Sequence, residues 1–420
     1  MNILFVHRDF PGQFKYLAPV LAQDPKNIVI FITAENTIAP PPGINKLPYT
    51  PTARGGYTHP CLKEYETFLA HGQAAAEMAM MLKSRGIKPD VIFGHIWGPS
   101  MFIKDIFPDV PLLSYCEWFD KTEGSAIGFG GDLPDDSYRE QIICGNTAKI
   151  LELCACDGGI SPTQWQKQQF PKEFHDKIKV IHDGVDTNLC KPDPQAKFLI
   201  PDKNLELTSR VGSLPHHQEV GNNLVLTSKD EIITYATRGM EPMRGFVQFM
   251  EAADKILKKR PNTHIIIGGN DKVCYGKPLA KGTYKQLMLN KLDLDMKRVH
   301  FVGGLDFNDY LKLLQISSAH VYSTYPFILS WSILEAMAVG CCLIASNTAP
   351  VLEIIKDNYN GLLFDFFDVD GLVEKIEYAL DNKEKMQEIR NNARQTVLEK
   401  YDLKRMIVEQ IIYLQSLMKR

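Results

Sequence analysis

Two arginines in one short segment could together bind a diphosphate. Arg238 and Arg244 lie within Tyr235 to Ala253, after an apolar run that predicts a strand and before an amphipathic run that predicts a helix. Such loops lie at the carboxyl edge of open α/β sheets, where these folds bind ligands. Two guanidinium groups there would hold a diphosphate and stabilise its charge as it leaves. The alternative is a solvated charge pair, which Gly239 and Gly245 disfavour because glycine lets a ligand approach the backbone.

A second segment, Thr324 to Ser346, combines a strand end, a polar turn and a helix. The turn contains Ser330 and Ser332, and Glu335 follows about one turn inside the helix. Free N–H groups at a helix start, with the positive end of the helix dipole, form a site for phosphate. Glu335 could accept hydrogen bonds from the two hydroxyls of a ribose. The alternative is an ordinary capped helix with a glutamate on its polar face.

The elements that must position these residues are short apolar runs alternating with amphipathic ones. Strands are predicted at Ile3 to Val6, Ile28 to Thr33, Val91 to Phe93, Leu112 to Tyr115, Gly158 to Ile160 and Val180 to Ile181, with helical patterns such as Leu62 to Arg85 between them. Nearly all-apolar strands separated by helices predict a parallel sheet that is covered on both faces.

The same alternation restarts at Ile232 and continues to Ala345. We therefore predict an α/β fold of two doubly wound domains facing each other across a cleft. The expected domains are 1–193, a linker with one or two extra strands at 194–229, a second domain at 230–400, and a C-terminal helix at 401–420 that packs back on the first domain. After Gly371 the pattern indicates two helical stretches.

Composition excludes several classes of protein. The chain has 420 residues, 45% hydrophobic and 23% charged, with a net charge of -3, which is typical of a globular protein and does not indicate a nucleic-acid partner. The first apolar run is too short for a signal peptide and no run reaches the roughly 18 apolar residues of a membrane span, so we expect a cytoplasmic protein, with peripheral membrane contact left open. The nine cysteines have no metal-site spacing, and we expect reduced thiols and no metal site.

Residues 225–400 resemble the donor domain of retaining glycosyltransferases of family four, which have the GT-B architecture of two Rossmann-like domains. Arg238 and Arg244 match the basic pair that follows the first donor-domain strand in that family. The motifs IIIGGND, which contains Gly268, and VHFVGGLDFNDYLKLL, which contains Leu305, are similar to further family segments. The resemblance implies that Gly268 contributes to the donor site and that Leu305 lies near the base.

The sequence LEAMA, Leu334 to Ala338, reproduces the end of the family's second motif. The resemblance therefore assigns the ribose-binding role to Glu335. Ser330 occupies the usual glycine position, and the backbone amides of Trp331 and Ser332 are implied to contact phosphate.

One position departs from that motif. Phe327 stands where relatives carry the first glutamate, a carboxylate that commonly touches the transferred sugar. Either another group does that work, or the sugar has fewer hydroxyls, as a deoxyhexose does.

The first domain offers further candidates. Gly12, in FPGQF, matches a loop glycine that borders the donor phosphates in relatives, although a plain tight turn is the alternative. His95 and Glu117 follow predicted strands and are candidates for binding sugar or acceptor hydroxyls, with a structural role as the alternative. Several relatives carry a histidine that contacts the sugar where this chain has Cys116.

The resemblance implies transfer of a hexose or deoxyhexose from a nucleotide-diphosphate sugar with retention of configuration, in which Arg238 and Arg244 stabilise the leaving diphosphate. We expect no cofactor and no metal, a UDP or GDP donor, and a glycan, lipid-linked or protein acceptor. Two alternatives remain, a non-catalytic sugar-nucleotide-binding subunit and a sugar-nucleotide epimerase. A nicotinamide oxidoreductase is disfavoured because no Gly-x-Gly-x-x-Gly follows a strand.

Overall fold

The computed structural model describes residues 1–52, 59–131, 133–200, 218–220 and 223–419. They form two compact units, Met1–Gly184 with Leu403–Arg420, and Val185–Asp402. Within the described residues, no helix is both long enough and apolar enough to cross a membrane.

The strands in chain order are β1 Asn2–His7, β2 Ile28–Thr33, β3 Ile44–Pro48, β4 Val91–His95, β5 Leu112–Tyr115, β6 Gly158–Ser161, β7 Ile178–Val180, β8 Lys197–Ile200, β9 Gln218–Val220, β10 Asn223–Thr227, β11 Glu231–Gly239, β12 Thr263–Asn270, β13 Val299–Gly303, β14 Ala319–Tyr322, β15 Leu343–Ser346 and β16 Leu362–Phe364. The α-helices are α1 Leu17–Ala22, α2 Lys63–Ser84, α3 Ile103–Ile106, α4 Asp136–Gly145, α5 Thr147–Ala155, α6 Gln164–Lys167, α7 Phe246–Lys259, α8 Tyr284–Lys291, α9 Phe307–Ile316, α10 Trp331–Ala338, α11 Ala349–Leu352, α12 Val369–Asp381, α13 Lys383–Lys400 and α14 Leu403–Leu417.

The first unit is a seven-stranded sheet in the order β3-β2-β1-β4-β5-β6-β7, with all pairs parallel. Strand β1 is almost wholly buried between helices on both faces of the sheet, and its residues Ile3 to Val6 are all apolar. The strand order reverses between β1 and β4. Parallel α/β sheets leave a crevice for ligands at the carboxyl ends of the strands at such a point.

Helix α14 belongs to this first unit. Its side chains Tyr413, Leu414 and Leu417 are buried in the same apolar cluster as Leu113 of β5 and Ile160 of β6. The helix therefore completes the core on one face of the first sheet.

The second unit repeats the plan with six parallel strands in the order β13-β12-β11-β14-β15-β16, and here the order reverses between β11 and β14. A small antiparallel sheet, β8-β10-β9, precedes it. Phe198 of β8 and Leu226 of β10 pack with Ile266 of the large sheet and Leu313 of α9. The expected extra strands of the linker are thus part of the second unit, while residues 201–217 and 221–222 of that linker lie outside the described residues.

The predicted α/β class with two doubly wound sheets is confirmed, but some boundaries differ. The first unit ends at Gly184, before Asp193, because the Val185 N–H donates to the carbonyl of Tyr401 and the buried side chains of Val185 and Cys190 join the core of the second unit. Strands β3 and β16 were not predicted. Three helices, not two, follow residue 368.

Gly245 provides a test of the packing at the switch point of the second sheet. Its φ is +70°, and an added Cβ would collide with the side chain of Ser323, just after β14. Gly303 has φ +71° and no atom within 4 Å of such a Cβ. We expect Gly303→Ala to lower the free energy of unfolding by about 1 kcal/mol through left-handed strain, and Gly245→Ala by about 2–5 kcal/mol because crowding adds to the strain.

The measurement is urea unfolding followed by the fluorescence of Trp331, the single tryptophan of the second unit. Equal losses in the two variants would contradict the close approach of the loop after β11 to the end of β14.

Candidate functional site

The loops that follow β11 and β14 meet at the switch point of the second sheet. Arg244 ends a short 3-10 turn, Pro242–Arg244, and its Nη1 donates to Thr324 Oγ1 at 2.8 Å. The N–H of Tyr325 donates to the carbonyl of Met243 at 2.9 Å. These bonds join the two loops, so Arg244 is held beside the end of β14.

Helix α10 begins at the same edge. Ser330 is its N-cap, and the Ser330 Oγ accepts from the N–H of Ser332 at 3.3 Å. The N–H of Ser330 itself donates to the hydroxyl of Tyr322, the last residue of β14, at 3.2 Å. The sequence therefore forms a capped helix start, with the backbone amides of Trp331 and Ser332 in its first turn.

Glu335 lies one turn further along α10 and is buried, with 8% of its surface exposed. Burial raises the pKa of the nearby Tyr310 hydroxyl well above its usual value, and the charge of Glu335 adds to this effect. Tyr310 in turn donates to the carbonyl of Ser332 at 3.4 Å. The carboxylate thus lies in the polar corner formed by α9 and α10.

Two other predicted residues are neighbours. A Cβ added at Gly268, near the end of β12, would lie 3.3 Å from Cδ1 of Leu305. Because glycine has no side chain, Gly268 leaves room for Leu305 to pack beside the carboxyl end of β12.

Phe327 contacts a residue that the sequence patterns do not predict. Its ring lies 5.6 Å from the ring of Tyr275, which follows β12. Arg238 Nη1 donates to the Tyr275 hydroxyl at 3.2 Å, and the Arg244 guanidinium carbon lies 5.1 Å from the centre of the same ring. The structure thus brings Arg238, Arg244 and Phe327 together through Tyr275.

In the first unit, two histidines end the strands at the switch point. His7 ends β1 and His95 ends β4, and their ring centres are 4.4 Å apart. His7 Nδ1 accepts from the N–H of Asp9 at 2.7 Å, so its Nε2 carries the proton and donates to Gln13 Oε1 at 2.7 Å. Gln13 Nε2 donates to Glu117 Oε1 at 2.7 Å. The other carboxyl oxygen, Oε2 of Glu117, lies 3.3 Å from His95 Nε2.

Burial sets the protonation of this network. It lowers the pKa values of His7 and His95 to about 3, with the neighbouring His95 adding to the effect on His7 and Arg8 adding to that on His95. It raises the pKa of Glu117 to about 7. Near neutral pH both imidazoles are therefore uncharged, and burial favours the protonated, neutral form of Glu117.

Gly12 lies against this network. Its φ is +51°, and an added Cβ would come within 2.7 Å of the His7 ring. Cys116, by contrast, is fully buried and directs its Sγ to the carbonyl of Ser114 at 3.5 Å. The structure thus groups Gly12, His95 and Glu117, and adds His7 and Gln13. The only sequence signal for His7 is a histidine at the carboxyl end of the first apolar strand.

Two family models match the chain. The model described as Glycosyl transferase family 4 group matches residues 25–190, and the model described as Glycosyl transferases group 1 matches residues 219–396.

Three similar proteins have glycosyltransferase names. An uncharacterised glycosyltransferase of Methanocaldococcus jannaschii is 24% identical over 348 residues, which are 82% of this chain and 78% of that protein. A second one from this organism is 27% identical over 138 residues, 33% of this chain and 34% of that protein. The N,N'-diacetylbacillosaminyl-diphospho-undecaprenol alpha-1,3-N-acetylgalactosaminyltransferase of Campylobacter jejuni is 28% identical over 159 residues, 38% of each chain. The last two matches thus span only about a third of those relatives.

Solved structures share the fold over the full length. HepE of Anabaena in complex with UDP-glucose is 16% identical with a TM-score of 0.65, and the match covers 99% of this chain and 100% of that chain. Sucrose-phosphate synthase of Thermosynechococcus elongatus is 16% identical with a TM-score of 0.68, and the match covers 99% of both chains.

The raised pKa of Glu117 predicts a pH-dependent stability. A carboxyl whose folded pKa exceeds its unfolded value contributes stability that is complete below about pH 4.5 and is lost as the pH rises through about 7. Glu117→Gln cannot ionise, so its free energy of unfolding relative to wild type should rise by about 1–3 kcal/mol between pH 5 and pH 8.

Chemical denaturation at a series of pH values measures this difference. Glu77→Gln, on the exposed face of α2, is the control and should show no such trend. A difference between Glu117→Gln and wild type that does not change with pH would disprove the buried protonated carboxyl.

Proposed function

Since this chain belongs to the group 1 glycosyltransferases and is a sugar-transferring enzyme, we propose that it transfers a hexose or deoxyhexose from a nucleotide-diphosphate sugar with retention of configuration. The observation that carries this proposal is the meeting of Arg238, Arg244 and the start of α10 at one edge of the second sheet. Two guanidinium groups beside the start of a helix, where the helix dipole has its positive end, suit a diphosphate better than any uncharged ligand.

The nucleotide's other parts have matching groups in the same unit. Glu335, held in its polar corner, accepts hydrogen bonds from the ribose hydroxyls in this proposal. Gly268 and Leu305 offer an apolar surface at the carboxyl end of β12 for the base. In this proposal the diphosphate lies between the ends of β11 and β14, the ribose lies at Glu335 of α10, and the base lies beside the carboxyl end of β12.

The proposed chemistry needs no protein nucleophile. The bond between the anomeric carbon and the β-phosphate oxygen breaks as the acceptor hydroxyl forms its bond on the same face. The acceptor's proton passes to a phosphate oxygen. Arg238, Arg244 and the α10 amides stabilise the negative charge that the departing diphosphate gains.

The first unit supplies hydroxyl-binding groups in this proposal. Glu117 lies between Gln13 and His95 and, with a pKa of about 7, can accept or donate a hydrogen bond near neutral pH. A carboxyl that can do both suits the hydroxyls of a sugar or an acceptor, because a hydroxyl also both donates and accepts hydrogen bonds.

The substrates are proposed as classes. HepE binds UDP and UDP-glucose, which supports UDP as the nucleotide, with GDP as the second candidate. The name of the Campylobacter relative includes a lipid-linked diphosphate acceptor, so a lipid-linked glycan joins glycans and proteins as proposed acceptors. The ring of Phe327 in place of a carboxylate favours a sugar with few hydroxyls on that side.

The experiment that tests the function measures donor binding. The wild-type protein should gain thermal stability from at least one UDP- or GDP-sugar, because a ligand that binds only the folded state raises the melting temperature. Arg244→Ala should weaken that binding at least tenfold, since a charge-assisted hydrogen bond contributes about 1.5–3 kcal/mol.

Lys258→Ala is the matched control. It removes one positive charge from the same unit at an exposed pair with Asp254 on α7, and should leave donor affinity unchanged. An unchanged affinity in Arg244→Ala, or an equal loss in Lys258→Ala, would refute the assignment of the diphosphate site.

We also propose that transfer is independent of divalent metal ions, because the two guanidinium groups already supply charge to the diphosphate. Donor turnover, measured as nucleotide release, should stay within about twofold of its original rate in excess chelator. Loss of turnover that returns on adding Mg²⁺ or Mn²⁺ would contradict the proposal.

A further inference from the structure

Tyr275 contacts both arginines of the proposed diphosphate site. Its hydroxyl accepts a hydrogen bond from Arg238 at 3.2 Å, and the face of its ring lies 5.1 Å from the guanidinium carbon of Arg244. The side chain is also near Phe327, with ring centres 5.6 Å apart.

The backbone at Tyr275 is fixed by a buried carboxylate. Glu241 is 0% exposed, and its Oε2 accepts from the N–H groups of Cys274, Tyr275 and Gly276 at 2.9, 2.8 and 3.0 Å. Three donors on one carboxylate oxygen form a strong, charge-assisted clamp. Because Glu241 lies between Arg238 and Arg244 in the chain, the residue that anchors Tyr275 belongs to the same loop as the two arginines.

This arrangement addresses a physical difficulty. Two guanidinium groups directed at one anion repel each other and are free to turn into solvent while the anion is absent. A phenol can hold both, since its hydroxyl oxygen accepts a hydrogen bond and its ring face attracts a cation. Tyr275 is 41% exposed, so packing into a core does not account for its position.

We propose that Tyr275 is a donor-positioning residue, which holds the guanidinium groups of Arg238 and Arg244 in place before the diphosphate binds and is itself anchored by Glu241. The inference rests on the proposed function, because it assigns Tyr275 to the same diphosphate site. It predicts that Tyr275 acts on nucleotide affinity through the arginines and not through a separate contact.

The test is a double-mutant cycle on the full-length chain with Tyr275→Phe, Arg238→Ala and the two combined. Tyr275→Phe keeps the ring over Arg244 and removes only the hydroxyl that Arg238 binds, so folding should be unaffected. The probes are UDP and GDP, titrated by calorimetry. We expect Tyr275→Phe to raise the Kd of the better-bound nucleotide roughly three- to tenfold. In the Arg238→Ala background the same change should have less than about a twofold effect, since coupled groups are not additive.

Tyr284→Phe is the control. It removes a tyrosine hydroxyl whose hydrogen bond, to the carbonyl of Lys277 at 3.1 Å, stabilises the same connection between β12 and α8. Its Kd should match wild type, whereas a loss as large as that of Tyr275→Phe would show a general loosening of the loop and overturn the inference.

The remaining outcomes separate the two proposals. Additive losses in the cycle, or no loss in Tyr275→Phe, overturn the role of Tyr275 while nucleotide binding by wild type and its weakening in Arg244→Ala still support the donor site. A wild-type protein that binds neither UDP nor GDP overturns the donor site and this inference together.

Discussion

Like charges must be held together at the switch point of the second sheet. Arg238 and Arg244 repel each other, yet the loop that carries them is fixed at several points. Thr324 and Tyr275 bind the guanidinium of Arg244, and Tyr235 donates its hydroxyl to the Arg244 carbonyl at 2.8 Å. Gly245 lets the chain turn tightly against β14. An anion bound there would meet donors that are already oriented, which lowers the cost of ordering them.

The first unit meets the opposite constraint at its own switch point. Its polar groups are buried, so they must be uncharged or hydrogen-bonded, because an isolated charge there would have a large unfavourable free energy. His7 does this with a defined tautomer, and Gln13 passes the hydrogen bond on to Glu117. The two sheets have the same order of strands around the point where that order reverses. At this point the second sheet carries two cations, whereas the first sheet carries hydrogen-bonded groups that are buried.

Sequence patterns predict the parts of this account that depend on local chemistry. Arg238 and Arg244 are apparent because a strand, a glycine-containing loop and an amphipathic helix follow one another, and the helix start at Ser330 carries its own capping residue. Tyr275 cannot be found in this way, since residues 271–283 have no apolar period and their position depends on three N–H groups that converge on distant Glu241. The boundary at Gly184 is hidden for the same reason, because Val185 joins the second unit through contacts distant in sequence, a backbone bond to Tyr401 and the burial of its side chain in that unit's core.

The most direct test of the diphosphate site is a crystal structure of the full chain with bound UDP or GDP. The β-phosphate should lie within about 3 Å of the Arg244 guanidinium and of an amide at the start of α10, as expected for charge-assisted hydrogen bonds. The ribose hydroxyls should reach the carboxylate of Glu335. A nucleotide bound at the His7 and His95 end of the first sheet, with the second sheet's switch point empty, would contradict the assignment of the diphosphate site to Arg238, Arg244 and the start of α10.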